Sequence, residues 1–371
     1  MKQNPLNVPE LLDHAIGFLG GSAPDLAACA LVARPWVDAA QRTLLRTPHV
    51  TNHGVNLHDA VALRFHNTLT SYPHLVRHIR ELCLQLLDER PLLTSTTLEL
   101  LCHHSYTHLE SFSLSIGDDL PPDGLRRIFS LPTLRHIALY IHSSGDLASF
   151  AEILEECSQS VKHFELSCGN WDSDGEVYSL ENTTAPRIKL KSVWLDLGDS
   201  DLAPLLGASY FYPFDFSNIE GLQVGRGRYV PWRLIPKRKI RFLHVGSMLD
   251  FMDLSSFINL ELLQFSIQTG TLPTLFAMLD TLPADHRVHT IALFLSSGPQ
   301  FGLTASEYAD LDAYLADPRF SRVSTLEVNV DSFARNIERS FPSAVARGVF
   351  RSLPRDCTMR RWCWLKRILT L

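Results

Sequence analysis

The sequence predicts an α/β protein: a three-helix segment at the N-terminus, then a long array of stacked strand–helix units. Three observations predict it. An apolar triplet of fixed internal spacing recurs ten times between residues 79 and 328. The first fifty residues instead place apolar side chains at helical spacing. Over 371 residues, 45% are apolar and 20% charged, enough for two or three domains or one long repeat array, and too apolar for a disordered chain.

Charge and cysteine content narrow the function classes. A formal charge of −6 makes nucleic acid an unexpected partner for the molecule as a whole. Seven cysteines with no C-x-x-C pair exclude a disulfide scaffold, a zinc ribbon and a thioredoxin-like motif. No run of about 20 apolar residues exists, so no membrane partner is expected. Met1-Lys2-Gln3-Asn4-Pro5 is not followed by the apolar stretch of a secretory leader, so the expected compartment is the cytoplasm or the nucleus.

In chain order, Val8, Leu11, Leu12, Ala15, Ile16 and Leu19 fall on one helical face. Asn7 is the expected N-cap, with Pro9 in the first turn, and Gly20-Gly21 ends the helix. Ser22 caps a second helix with Leu26, Cys29, Ala30 and Ala33 on its apolar face. Pro35 opens a third, carrying Trp36, Ala39, Ala40, Leu44 and Leu45. The segments Val8-Pro9-Glu10-Leu11-Leu12, Ile16 and Leu26-Ala27-Ala28-Cys29-Ala30-Leu31-Val32-Ala33-Arg34-Pro35-Trp36 resemble the F-box, and Ala39 to Arg46 resembles its end in large fungal F-box families. The sequence departs from that motif at Ala33, where Cys or Ser is usual, and at Pro35, where Ser or Asp is commoner.

From residue 75 onward the pattern is apolar, two others, apolar, one other, apolar. The triplets are Ile79/Leu82/Leu84, Leu109/Phe112/Leu114, Leu134/Ile137/Leu139, Val161/Phe164/Leu166 and Leu190/Val193/Leu195. They continue as Ile219/Leu222/Val224, Ile240/Leu243/Val245, Leu260/Leu263/Phe265, Val288/Ile291/Leu293 and Val323/Leu326/Val328. A mean spacing of about 27 residues and the L-x-x-L-x-L core resemble the leucine-rich repeat, here irregular and without its usual Asn or Cys. Between triplets, Leu147, Phe150, Ala151 and Leu154 mark one helix, and Thr304-Ala305-Ser306-Glu307 is a capping box for another carrying Tyr308, Leu311 and Leu315. The expected organisation is a helical domain at 1–50, a solenoid of about ten strand–helix units at 51–330 and a C-terminal cap at 331–371, where the pattern breaks.

No nucleophile elbow, P-loop, dinucleotide fingerprint or H-E-x-x-H motif occurs, so no catalytic residue, cofactor or metal is expected. Asp172 to Glu176 lacks the full calcium-loop ligand series and reads as an acidic turn. Cys102-His103-His104 with His108 reads as structural or solvated histidines, and Asn182-Thr183-Thr184 is a sequon that matters only in a secreted chain. Two basic runs stand out: Arg226, Arg228, Arg233, Lys237, Arg238, Lys239 and Arg241, then Arg351, Arg355, Arg360, Arg361, Lys366 and Arg367. They read as solvated faces, with an import signal or an acidic docking partner as alternatives.

The resemblance implies a substrate receptor of an SCF-type ubiquitin ligase with no covalent chemistry of its own. Its F-box would bind a Skp-family adaptor, and through it a cullin, using Pro9, Leu11, Leu12, Ile16, Leu26, Leu31, Val32 and Trp36. Its solenoid would hold a target protein on the strand face opposite the triplets, through exposed Tyr140, Trp194, Phe242 and Phe294, with Trp362 and Trp364 of the tail as a possible cover. The alternative is a leucine-rich-repeat scaffold or inhibitor outside the ubiquitin system.

Overall fold

The computed structural model describes residues 9–19, 22–32, 34–52, 59–86, 91–116, 122–142, 153–168, 188–196, 213–225, 235–246, 251–295, 303–330 and 337–352. The chain divides into two compact units, Met1–Ile188 with Ser209–Pro213, and Lys189–Ala208 with Phe214–Leu371. Both are α/β, and their strands are parallel.

The first unit opens with helices α1 (Pro9–Gly17), α2 (Ala23–Val32) and α3 (Arg34–Leu45). Ser22 caps α2 as its sequence position requires: its side chain accepts from Asp25 N at 3.4 Å and its carbonyl from Leu26 N at 3.0 Å. Leu12, Ile16, Leu26, Ala39 and Ala40 form a small core, with Leu19, Cys29, Ala30 and Trp36 packed around it. Asn7, Gly20, Gly21 and Ala33 lie outside the described residues.

Five strands follow: β1 (His49–Asn52), β2 (Glu81–Leu86), β3 (Ser111–Ile116), β4 (His136–Ile141) and β5 (His163–Cys168). Helices α4 (Asp59–Ser71), α5 (Pro91–Cys102) and α6 (Pro122–Phe129) lie between successive strands from β1 to β4. The strands pair in sequence order, and the middle triplet residues Leu82, Phe112, Ile137 and Phe164 stand in register. Of the helix expected around Asp146 to Glu156, the described part keeps Ile153 and Leu154 fully buried, and the rest lies outside the described residues.

The second unit holds β6 (Ser192–Asp196), β7 (Gly221–Val224), β8 (Phe242–Val245), β9 (Leu262–Ile267), β10 (Thr290–Leu295), β11 (Thr325–Val330) and β12 (Phe350–Ser352). They also pair in sequence order, with Val193, Leu222, Leu243, Leu263, Ile291 and Leu326 in register. Helices α7 (Leu272–Asp280), α8 (Ala305–Leu315) and α9 (Pro342–Ala346) precede β10, β11 and β12. The segments described just before β7 and β8 are 3-10 turns, Phe216–Asn218 and Lys237–Lys239; residues 197–212 and 226–234 of those connections, where a helix is expected, lie outside the described residues. The ladder runs on past 330: Phe350 pairs with Leu326, and Ser352 stands opposite Val328 where an apolar residue would continue the triplet.

All ten triplets are buried, as their spacing requires. A second device repeats at the residue just before eight of the strands. Its carbonyl accepts from two consecutive backbone N–H groups of the next unit. Arg80 O accepts from Glu110 and Ser111, Glu110 O from Arg135 and His136, and Arg135 O from Lys162 and His163. In the second unit Lys191, Glu220, Arg241, Glu261 and His289 do the same. These shared acceptors fix the register, because a slip by one residue would orphan two donors per strand.

Candidate functional site

Two surfaces come from the residues singled out in the sequence: the outer face of the three helices, and the strand face opposite the triplets.

On the helices, the eight motif residues separate into two groups. Leu12, Ile16 and Leu26 are at most 3% exposed, and half-buried Trp36 packs on them. These four hold the helices together. Leu11, Leu31 and Val32 are 52%, 89% and 65% exposed and make no core. The side chain of Pro9 lies outside the described residues. Sequence reasoning missed Phe18, which is 78% exposed with its ring edge-on to His14 at 4.9 Å. Its signal was available: Phe18 falls off the face shared by Leu12, Ile16 and Leu19.

The helices are tied to the strands through Asp38 on α3. Its carboxylate accepts from Arg42 at 2.9 Å and Arg77 at 3.1 Å, and lies 3.5 Å from His78 Nε2. Arg42 also pairs with Asp13 of α1 at 3.1 Å. Burial holds His78 below the usual histidine range, against the opposing pull of Asp38.

The strand face is not the open ladder its alternation suggested. Trp194 and Phe242 are 3% and 4% exposed, and only Tyr140 and Phe294 are half-buried. The reason is lateral packing. In a parallel sheet each side chain is flanked by its register partners about 4.8 Å away. Trp194 stands beside Gln223, and Phe242 stands between Gly221 and Leu262 with the Arg241 guanidinium 5.3 Å from its ring. In the same unit the Phe294 ring lies 6.0 Å from that of buried His244.

On the first unit this face carries a buried polar chain. Ser111 Oγ lies 2.8 Å from His136 Nδ1, His136 Nε2 lies 3.2 Å from Glu165 Oε1, and Tyr140 donates to Glu165 Oε2 at 2.5 Å. Ser111, His136 and Glu165 are at most 6% exposed. The order serine, imidazole, carboxylate matches a nucleophile relay. The Ser111 N–H, however, is taken by Arg80 O, so it is not available to stabilise an oxyanion. The arrangement satisfies a buried carboxylate.

The weaker candidates resolve as local structure. His104 Nε2 lies 3.1 Å from His66 Nδ1, and burial holds the Cys102 thiol up to about 12. Among the described residues no three His, Cys, Asp or Glu side chains group as metal ligands. Lys239 donates to Ser217 O and Asn218 Oδ1, and Arg241 makes a fork to Glu261 and a longer contact to Glu220. Arg226, Arg228, Arg233, the acidic turn at 172–176, the sequon at 182–184 and everything from 353 onward lie outside the described residues. No helix of the described residues is long and apolar enough to cross a membrane. Neither a known protein family nor a curated protein matches this chain.

Proposed function

We propose that the chain is a substrate receptor of an SCF-type ubiquitin ligase, with residues 9–45 as its F-box and the parallel repeats as a leucine-rich solenoid that holds the target protein. The observation that carries the reading is the exposure of Leu11, Leu31 and Val32 at motif positions while Leu12, Ile16 and Leu26 fill the core. Exposed leucine and valine beside a closed core leave an apolar face for a partner to cover. The in-register triplets and the shared carbonyl acceptors support the repeat half of the reading. The chain's contribution is positioning: tethering raises the effective concentration of target lysines near a loaded conjugating enzyme.

The test is Leu31→Asp with Val32→Asp in the full chain, measured by pull-down and titration with a Skp-family adaptor. Both side chains are exposed, so the melting temperature should hold while adaptor affinity falls by about tenfold or more. A folded variant that binds the adaptor like wild type removes the F-box reading and favours the scaffold alternative.

A further inference from the structure

Charged residues recur just before the strands, at their N-terminal ends. In the first unit they are Arg80, Glu110, Arg135 and Lys162, joined by Arg46 ahead of β1, whose carbonyl accepts from Arg80 and Glu81. Arg80 and Glu110 neutralise each other at 2.7 Å. Arg46 and Arg135 are exposed, and among the described residues neither guanidinium has a hydrogen-bond or ion-pair partner. Among the described residues the Lys162 ammonium has only the Gln159 carbonyl, at 3.3 Å. Arg135 and Lys162 are neighbours across one backbone hydrogen bond of 2.8 Å, so two cationic residues occupy adjacent positions. Glu155 and Glu156, in the connection between them, pair with neither among the described residues.

The second unit gives an internal comparison at the same structural position. There Glu220 and Glu261 flank the single cation Arg241 at 3.4 and 2.8 Å, so its charge is met by two acids. The first unit has the same backbone geometry and leaves the charges uncancelled. Adjacent like charges cost stability unless an anion lies between them.

We propose that the row from Arg46 to Lys162 is a docking rail for an acidic peptide segment of a partner protein, with Arg135 and Lys162 as its main contacts. Five strands at about 4.8 Å spacing give a row about 19 Å long, which matches about six residues of extended peptide. Carboxylates and phosphoryl groups both supply the required anionic oxygens. The rail does not depend on the adaptor reading, since Leu31 and Val32 are not part of it.

Fluorescence anisotropy on the full chain tests this with four labelled probes: a Glu-rich peptide, the same peptide with phosphoserine for Glu, its Gln counterpart, and a single-stranded oligonucleotide of matched charge. Wild type should bind one or both anionic peptides, more weakly as salt rises, and ignore the Gln peptide. Tighter binding of the Glu or of the phosphoserine form identifies the anion. Arg135→Ser with Lys162→Ser should weaken that binding about tenfold. Arg287→Ser, an exposed cation of the second unit outside the row, should leave it unchanged. Four results overturn the proposal: no binding of either anionic peptide, equal affinity in the double variant, an equal loss in Arg287→Ser, or tighter binding of the oligonucleotide than of the peptides.

Discussion

Ile137 has no exposed surface and stands in register between Phe112 and Phe164. Ile137→Asp places an unpaired charge there and should cost several kcal/mol, on the order of 4, read as a large drop in melting temperature. An unchanged melting point would place that repeat in a different register. Ile137 was legible because the triplet spacing states its burial directly. Trp194 was not, because its exposure is set by Gln223, a neighbour that only the fold supplies. His244 gives a pH-dependent case. Its ring is buried, its Nε2 lies 3.3 Å from Ser266 Oγ, and its Nδ1 has no hydrogen-bond partner among the described residues. Burial pulls its pKa down to about 3. The unfolded chain binds a proton at His244 near pH 6.5, and the folded chain does not until about 3. Its contribution is therefore complete above pH 6.5 and is lost by about 1.4 kcal/mol for each pH unit below that. Urea unfolding at neutral and mildly acid pH should show a shallower loss for His244→Gln than for wild type. Equal slopes would contradict the buried neutral imidazole.

Individual elements were legible where their signals are local. Ser22 caps α2, and the Thr304–Glu307 box closes reciprocally, with Thr304 N donating to Glu307 at 2.8 Å and Glu307 N to Thr304 at 3.3 Å. Caps that reach across the sequence were not legible. Asp312 on α8 is 4% exposed and accepts from Ser343 N at 2.9 Å and Ala344 N at 3.1 Å, at the start of α9. In return Arg347 donates to Leu315 O and Phe320 O past the end of α8. Asp312→Ala orphans one buried and one part-buried donor and should cost about 1–3 kcal/mol, read as faster hydrogen exchange across 337–352. Unchanged exchange there would mean that the helix holds without its borrowed cap. For α1, the motif named both core and surface leucines, and only burial separates them. Leu12→Ala should destabilise the helical segment by about 2–4 kcal/mol, and exchange protection in α1 to α3 should fall with it. The same truncation at exposed Leu31 should leave protection intact, so Leu31 and not Leu12 is the clean probe of partner binding.

At the scale of the molecule, the parallel α/β class was legible in the recurrence of the triplets alone. The charged rail was legible too, since the position after the first triplet residue is Arg80, Glu110, Arg135, Lys162, Lys191, Glu220, Arg241 and Glu261 in eight successive units. It goes unnoticed because its members are 20 to 30 residues apart and form no run. Connections were the least legible part, because the triplets state nothing about the residues between them. The shared carbonyl acceptors have one further consequence, which concerns synthesis. Within each unit every strand hydrogen-bonds to the strand made before it, so the template is finished when the next segment leaves the ribosome. Folding can then keep pace with translation and expose at most one growing edge. Nascent chains stopped after Cys168 should already protect β2 to β4 from protease, and an unprotected sheet at that length would show that the edges wait for the rest of the chain.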